Sequence, residues 1–301
     1  MPTILRRIAL LLLLSLTLLS TSQSVPTRGA LQGEVAFRID DIQASWISSV
    51  QEELVNYFVK NQIKATLGVL SVGIGEDAKV LKVLKDGVAT RTLEIADHGW
   101  DHRDFSALSY AQQLELMTKA REKIQQVLPG TLSVTFVPPY NFFNADTLRA
   151  ARSAGFTRIS ASLASDPPPW DQSSILHYPS TVDGASFMEG VPINRPTNQV
   201  TASIVDSISK FGYAIVLLHP QEFAVYVGNK VTDEIDQNAM NHLHELVGWV
   251  KSNAKVVQIQ EISAIPVPEY SRGSILFLVI SGLVLVLGIG RRRHRRHISP
   301  T

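Results

Sequence analysis

Two histidines lie four positions apart in the segment ADHGWDH, residues 96 to 102. His98 and His102 follow a short apolar run, so a predicted strand would carry both imidazoles at its end. Imidazole nitrogens are common ligands of transition metals, but structural histidines with satisfied hydrogen bonds are also frequent. The spacing alone therefore leaves two interpretations open, a metal site and an ordinary polar strand end.

Two adjacent carboxylates, Asp40 and Asp41, end an earlier apolar segment. Side chains of adjacent residues on a strand point to opposite sides, so the two carboxylates cannot have the same role. At the end of a strand, however, both can reach the same site. Asp41 with His98 and His102 would offer two nitrogens and one oxygen, a set that suits zinc with a position left for water. Asp40 is then the available base for that water. A turn or helix cap is the structural alternative for the Asp pair.

A third histidine, His219, follows the very apolar segment AIVLL and precedes a proline. It could protonate a leaving group from the side opposite the metal, or merely close a buried strand. Backbone N–H groups near Tyr140, in the segment VPPYN, could stabilise an oxyanion together with the metal. Combined with the metal set, these groups favour a metal-assisted hydrolysis.

The elements that must position these side chains alternate along the chain between apolar runs and stretches of helical period. This alternation predicts an α/β fold of parallel strands covered by helices, in which loops at the carboxyl ends of the strands carry the chemistry. Asp41, His98 and His219 each follow a predicted strand. The predicted strands span residues 35–39, 65–70, 92–96, 133–137, 158–162, 213–218 and 255–259, and the predicted helices 46–60, 77–85, 109–127, 145–154, 202–211 and 233–251.

The ends of the chain predict export and anchoring. Residues 1–24 carry two arginines near their start, then an apolar run, and close on small residues, as an export signal does. Residues 273–290 carry no charge and approach the roughly 20 residues of a spanning helix. The basic tail 291–301 favours a cytoplasmic C-terminus. The 29–262 domain would therefore lie outside the cell, joined to the membrane by the linker 263–272.

The composition limits the partners and the kinds of site. Residues 29–270 hold all 27 acidic residues but 19 of the 28 Lys and Arg residues, an excess of eight negative charges. Nucleic acid is an unfavourable partner for such a surface. The chain has no cysteine, which excludes disulfides and thiolate metal ligands. Stability must come from an apolar core, and the length suffices for one domain of barrel class.

At these residues the chain resembles the polysaccharide deacetylase family, carbohydrate esterases that share the nodulation chitooligosaccharide deacetylase homology domain. The similarity spans about residues 33 to 262: the family's Asp-Asp motif resembles FRIDDI, its His-x-x-x-His motif HGWDH, its Arg-Pro-Pro-Tyr motif VPPYN, and its Leu-x-His motif the segment LLH. The resemblance implies a distorted (β/α) barrel of about seven strands. It also implies removal of acetyl groups from an N-acetylated glycan, with a divalent metal, most readily Zn²⁺, on Asp41, His98 and His102, and with Asp40 as base and His219 as acid.

Several positions depart from the family pattern. Val137 stands where the family usually has an arginine that orients the catalytic carboxylate, and Gly99 stands where it has Ser or Thr. Arg38 lies two residues before Asp40 and so on the same strand face, and we hypothesise that it supplies the lost positive charge; an ordinary outward-facing arginine is the alternative. Glycines of the family are replaced at Ile42 and Asn141.

Contacts to a substrate are assigned to the loop after the fourth predicted strand. Pro139, Tyr140 and Asn141 are candidates for substrate or oxyanion contacts, and Trp100 is a candidate for support of the site. A Trp near a strand end is more often a packing residue. Asn144 could contact substrate or cap the helix that follows it.

Three classes of function remain open. A cell-surface metal-dependent amidohydrolase or deacetylase is favoured. An inactive barrel that binds glycans is allowed by Val137 and the missing glycines. An iron oxygenase built on two histidines and one carboxylate would leave Asp40 and His219 without a task.

The C-terminal segment also resembles a sorting signal. The sequence VPEY, an apolar helix and an arginine cluster are similar to the tails that exosortase-type and archaeosortase-type transpeptidases process. Such a transpeptidase would be a further partner, and cleavage would remove everything after about Tyr270. A plain membrane anchor is the alternative.

Overall fold

The computed structural model describes residues 31–263 of the chain. Within this range no helix is both long and apolar enough to cross a membrane. The predicted export signal 1–24, spanning helix 273–290 and basic tail 291–301 lie outside the described residues, as does the linker 263–272 after its first residue. These parts of the organisation stay predictions.

Parallel strands form the centre of the described domain, and two antiparallel hairpins project from it. The strands are β1 (Glu34–Ile42), β2 (Ala65–Val69), β3 (Leu93–Asp97), β4 (Thr135–Phe136), β5 (Arg158–Ile159), β6 (Leu176–His177), β7 (Val182–Asp183), β8 (Ala185–Met188), β9 (Val191–Asn194), β10 (Tyr213–Leu218), β11 (Ala224–Val227), β12 (Lys230–Ile235) and β13 (Lys255–Val257). The helices are α1 (Ser48–Lys60), α2 (Ala78–Ala89), α3 (Tyr110–Val127), α4 (Ala145–Ser153), α5 (Thr197–Phe211) and α6 (Gln237–Asn253).

The main sheet is a curved half-barrel. Eight of its nine parallel strands follow the order β6-β5-β4-β3-β2-β1-β10-β7, and the ninth, β13, pairs with the start of β1. Hairpins β8–β9 and β11–β12 stand apart from it. The predicted α/β class with parallel strands is confirmed, whereas the predicted number of about seven strands is too low. The difference comes from β6 and β7, which are two residues long and too short to show an apolar run.

Strand β1 runs through the middle of the sheet and is covered on both sides. Phe37 belongs to the large apolar cluster beneath the helices, and its ring lies 5.5 Å from the ring of Phe58 on α1. Ala36 packs instead in a second cluster with Tyr213. Because successive side chains alternate, Arg38 and Asp40 lie on the same inner side as Ala36. The strand therefore delivers polar side chains into the half-barrel.

The observed boundaries of helices and strands differ from the predicted ones at several places. Helix α3 agrees with its prediction to within one residue, and a capping box between Ser109 and Gln112 fixes its start. The last helix begins at Gln237, because Asp236 caps it, and Asp233 belongs to strand β12. Helix α5 begins at Thr197, five residues before the predicted start. Both hairpins were outside the predicted strands, since their residues are mixed in polarity.

Candidate metal centre

The side chains of Asp40 and Asp41 reach the same site because β1 is irregular at its end. The ladder between β1 and β2 shifts register between Ile39 and Ile42. Asp41 lies within this shift and has a left-handed backbone, with φ of 61°. Non-glycine residues rarely adopt this conformation, and strain of this kind occurs preferentially at functional sites. The local turn explains how neighbours that would point apart on a regular strand both enter the site.

The two histidines come from the end of β3 and the loop behind it. His98 directly follows the strand, and its backbone N–H donates to Val69 O at 3.0 Å. Its Nδ1 lies 2.8 Å from the carbonyl oxygen of Val137. Because a carbonyl can only accept, Nδ1 carries the proton and Nε2 presents a lone pair. His102, also left-handed with φ of 61°, brings its ring centroid to 5.0 Å from that of His98.

Three donor atoms converge at this point. Asp41 Oδ1 lies 3.2 Å from Nε2 of His98 and 3.1 Å from Nε2 of His102. One ligand atom from each residue lies within 4.8 Å of those of the others, and no other such group of three occurs in residues 31–263. Oδ1 is buried yet has no partner in hydrogen-bond geometry among the described residues. Atoms that approach closely without bonding one another fit a set of ligands around a common cation.

The charges of the centre also favour a cation. Burial would raise the pKa of Asp41, but its contacts with His102 and His98 lower that pKa far below the usual range. Asp41 is therefore ionised at neutral pH. Burial would lower the pKa of His98, but the carboxylates of Asp41 and Asp40 raise it. Two nitrogens and one carboxylate oxygen suit a divalent metal with an open position.

Arg38 holds the second carboxylate. Its guanidinium is completely buried, and one nitrogen donates to Asp40 Oδ2 at 2.8 Å and to Asn141 Oδ1 at 3.1 Å. The other nitrogen donates to the carbonyl oxygens of Ser160 and Ala161 at 2.7 and 2.9 Å. The alternative of an outward-facing arginine is wrong, because both sides of β1 are covered. The planar fork can bind several acceptors at once, which fixes the Asp40 carboxylate.

The other oxygen of Asp40 is held free. Oδ1 is buried and has no hydrogen-bond partner among the described residues. It faces Gly68 on β2, where a Cβ atom would come within 2.8 Å of it. Any side chain at position 68 would therefore displace the carboxylate. Gly68 was not identified from the sequence, since a single glycine in a strand carries no chemical signal by itself.

His219 lies at the end of β10 and is held by a residue that sequence analysis missed. Its Nδ1 lies 2.9 Å from Glu222 Oε1, and its backbone N–H donates to the same oxygen at 3.0 Å. Burial would lower the pKa of His219, but Glu222 raises it, and Asp40 and Asp41 raise it further. The signal that could have identified Glu222 is its position three residues after His219, the spacing of a capping box.

The loop with Pro139, Tyr140 and Asn141 borders the metal ligands. Tyr140 is exposed, left-handed with φ of 57°, and its ring centroid lies 4.4 Å from that of His102. Pro139 is buried against Gly99, where a Cβ would lie 3.2 Å from the proline ring. The side chain of Asn141 contacts Arg38. These three residues therefore lie at the site, and their roles toward substrate stay predictions.

The other candidates lie in the surrounding wall. Trp100 packs against an apolar cluster that includes Met117 of α3 and Phe136 of β4, with the Lys119 ammonium 3.8 Å from its ring centroid. Asn144 caps α4, which confirms the second of its two predicted roles. A second buried pair lies apart from these residues: Asp166 Oδ2 is 2.9 Å from His177 Nδ1.

Comparison with known proteins finds similarity to polysaccharide deacetylases. Residues 29–159 match the family model described as polysaccharide deacetylase, somewhat less than half of the chain. The fold is similar to that of the chitin deacetylase from Colletotrichum lindemuthianum, at 17% sequence identity and a TM-score of 0.52, over 79% of this chain and 91% of that one. A search of curated protein sequences gives no match.

Two further solved structures are similar at lower scores. A family 4 acetyl xylan esterase from Clostridium thermocellum, in complex with a cobalt ion, has 16% identity and a TM-score of 0.49, over 76% of this chain and 89% of that one. A CE4 family pseudoenzyme from Bacillus anthracis has 17% identity and a TM-score of 0.49 over 77% of this chain. The chain spans 65% of that protein, just under two thirds of its length.

Removal of a single ligand is expected to abolish tight metal binding. Asp41→Asn and His102→Ala should each weaken the affinity for Zn²⁺ by more than the roughly 10- to 100-fold typical of outer-shell changes, because the first removes the negative charge of the set and the second removes an imidazole donor. Titration calorimetry gives the affinity, and elemental analysis should find one ion per chain in the wild type. His242→Ala, at an exposed position on α6, is the control. Unchanged affinity in both ligand variants would contradict this assignment.

Proposed function

We propose that this chain is a metal-dependent hydrolase that removes acetyl groups from an N-acetylated polysaccharide. The observation that carries the proposal is the convergence of Asp41, His98 and His102, with Asp40 and His219 beside them. The polysaccharide deacetylase match of residues 29–159 supports the substrate class. The donor set favours Zn²⁺, because zinc accepts imidazole and carboxylate ligands and leaves a fourth position open. When bound, a divalent metal polarises a carbonyl group and acidifies water.

Asp40 is assigned the role of base. Arg38 binds Oδ2 and leaves Oδ1 unpartnered, so one oxygen is fixed and the other can accept the proton of the attacking water. The fixed carboxylate needs no reorientation during the reaction, which lowers the entropic contribution to the activation barrier. Arg38 also removes the main reason to expect inactivity, since it supplies the positive charge that Val137 cannot.

His219 is assigned the role of acid. Glu222 accepts from its Nδ1 and so directs Nε2 toward the site, in the arrangement by which a carboxylate orients a catalytic imidazole. Because Glu222 raises the pKa of His219, the imidazole can remain protonated until the amide bond breaks. Its proton goes to the departing nitrogen, the C–N bond breaks, and acetate and a free amino sugar are the products.

The developing negative charge on the carbonyl oxygen needs a donor. The backbone N–H of Tyr140 is the proposed donor, as the amides of Asn141 and Phe142 already donate to the carbonyls of Pro138 and Pro139. Positive φ at Tyr140 and Asn141 marks a strained turn at this point. A donor fixed in such a turn is oriented before the reaction begins, which is the requirement of an oxyanion site.

The proposed location is the outer face of a membrane. Support comes from sequence alone, through the export signal 1–24, the apolar segment 273–290 and the basic tail 291–301. Eight excess negative charges on residues 29–270 fit a domain that acts on glycans and does not bind nucleic acid. Processing by a sorting transpeptidase would release the domain from its helix.

Replacement of the base tests the reaction. In the purified full-length protein loaded with Zn²⁺, Asp40→Asn should reduce acetate release from a panel of N-acetylated glycans by about 10²- to 10⁴-fold, because no group then takes the water proton. The bound zinc should remain near one ion per chain. Asp146→Asn, at a partly exposed carboxylate on α4, is the control.

The same assay separates the alternatives. Glycan binding without acetate release by the wild-type protein would support an inactive glycan-binding barrel. Bound iron with oxygen consumption would support an oxygenase. Either result contradicts the proposed hydrolase.

Replacement of Glu222 should change the pH dependence of the reaction. Glu222→Gln removes the charge that raises the pKa of His219, so that pKa falls and the acid loses its proton at lower pH. The alkaline limb of the kcat/KM profile should therefore move to lower pH, and kcat should fall more than KM changes. Thermal unfolding provides the control for folding. An alkaline limb at the wild-type position would show that Glu222 does not act through His219.

The mass of the mature protein tests the proposed location. A membrane-anchored form should have lost residues 1–24 and retained the C-terminus, whereas sorting should also remove everything after about Tyr270. Intact-mass spectrometry of the protein from its native membrane distinguishes the two. Retention of residues 1–24 in the mature protein would contradict export through a cleaved signal.

A further inference from the structure

A hairpin beside the acid histidine has no role in the reaction described above. Strands β8 and β9 pair antiparallel and are joined at Glu189 and Gly190, whose φ values of 52° and 82° are typical of a tight hairpin turn. Its base is fixed to the site, because Asn194 Nδ2 donates to the carbonyl oxygen of Glu222 at 3.1 Å. The base of the hairpin is therefore held in place close to His219.

The two faces of the hairpin differ in what they contact. Phe187 pairs with Pro192 across the ladder, and its ring centroid lies 5.9 Å from that of His219 at an interplanar angle of 83°. Met188, the next residue along the strand, points to the opposite face. Phe187 is nevertheless 47% exposed and Met188 64% exposed. One aromatic ring thus contacts the site and retains a free surface.

Exposed aromatic rings border the site on a second side. Tyr140 is 57% exposed and lies against His102, and the ring of Phe142 is 6.4 Å from that of Tyr140. Sites for small ligands are lined mostly by apolar and aromatic groups, with few polar groups to fix the reacting atoms. A pyranose ring presents C–H bonds on its faces, which pack well on an aromatic ring.

The proposed reaction decides which part of the substrate meets Phe187. The acetyl carbonyl must lie at Asp41, His98 and His102, whereas the departing nitrogen must lie at His219. The sugar is attached to that nitrogen, so the sugar ring extends away from the carbonyl on the His219 side. Phe187 is the exposed aromatic ring that contacts His219.

We propose that Phe187 is a binding platform for the pyranose ring that carries the reacting acetamide, and that the β8–β9 hairpin thereby selects a glycan over other N-acetyl compounds. This inference rests on the proposed function for the orientation of the substrate. It assigns the sugar to Phe187 and leaves the acetyl group to the other side of the site. Met188, on the opposite face, takes no part.

Binding of the hexamer of N-acetylglucosamine to the full-length, zinc-loaded protein tests the platform. In an Asp40→Asn background, which prevents turnover, Phe187→Ala should raise the Kd about 10-fold, in the range of one lost aromatic contact. Phe187→Trp should bind within about 3-fold of the parent protein, because it retains an aromatic surface. Met188→Ala is the matched control from the same hairpin and should leave the Kd unchanged.

The outcomes separate this proposal from the proposed function. An unchanged Kd in Phe187→Ala overturns the platform, as does a failure of the parent protein to bind the hexamer. A lower kcat of Phe187→Ala in the Asp40-containing enzyme with an unchanged Kd also overturns it, because Phe187 would then only support His219. If the hexamer binds through Phe187 but wild-type protein releases no acetate, the deacetylase fails, and Phe187 is a sugar-binding residue of a site without that activity.

Discussion

The carboxylates of the adjacent residues Asp40 and Asp41 lie in one largely buried site, and the repulsion between them must be balanced by positive charge. Arg38 supplies this charge to Asp40, whereas Asp41 faces Nε2 of His98 and of His102, where a bound cation would supply it. Buried ions are stable only with paired charges and satisfied hydrogen bonds. The division explains why neighbours in sequence can have different tasks: one carboxylate is neutralised permanently by the protein, while the other keeps its charge for a cation.

This requirement extends to the strands around β1. Arg38 donates to the carbonyl oxygens of Ser160 and Ala161, which lie directly after β5, so a strand of two residues supplies the acceptors that hold the buried guanidinium. The carbonyl of Val137, directly after β4, orients His98. Val137, whose side chain is apolar, thus contributes to the site through its backbone. Short strands are sufficient here, because their ends supply carbonyl oxygens at fixed places.

The sequence was most informative where residue type and strand position coincide. Asp41, His98 and His102 could be assigned to one site because each follows an apolar run and parallel strands end at a common edge. Arg38 could be paired with Asp40 from their spacing on one strand face. Gly68 and Glu222 could not be identified from the sequence. Gly68 acts by leaving space for the Asp40 carboxylate, and Glu222 acts by a contact with His219 across a turn. The β8–β9 hairpin, of mixed polarity, also gave no periodic signal.

The metal centre is the claim on which the proposed chemistry depends, and its ligands can be identified directly. X-ray absorption at the zinc edge of the full-length protein should show nitrogen and oxygen ligands at about 2.0–2.1 Å, including two imidazoles. In His98→Ala the spectrum should lose one imidazole contribution. A spectrum without imidazole scattering, or one that His98→Ala leaves unchanged, would contradict a centre built by Asp41, His98 and His102.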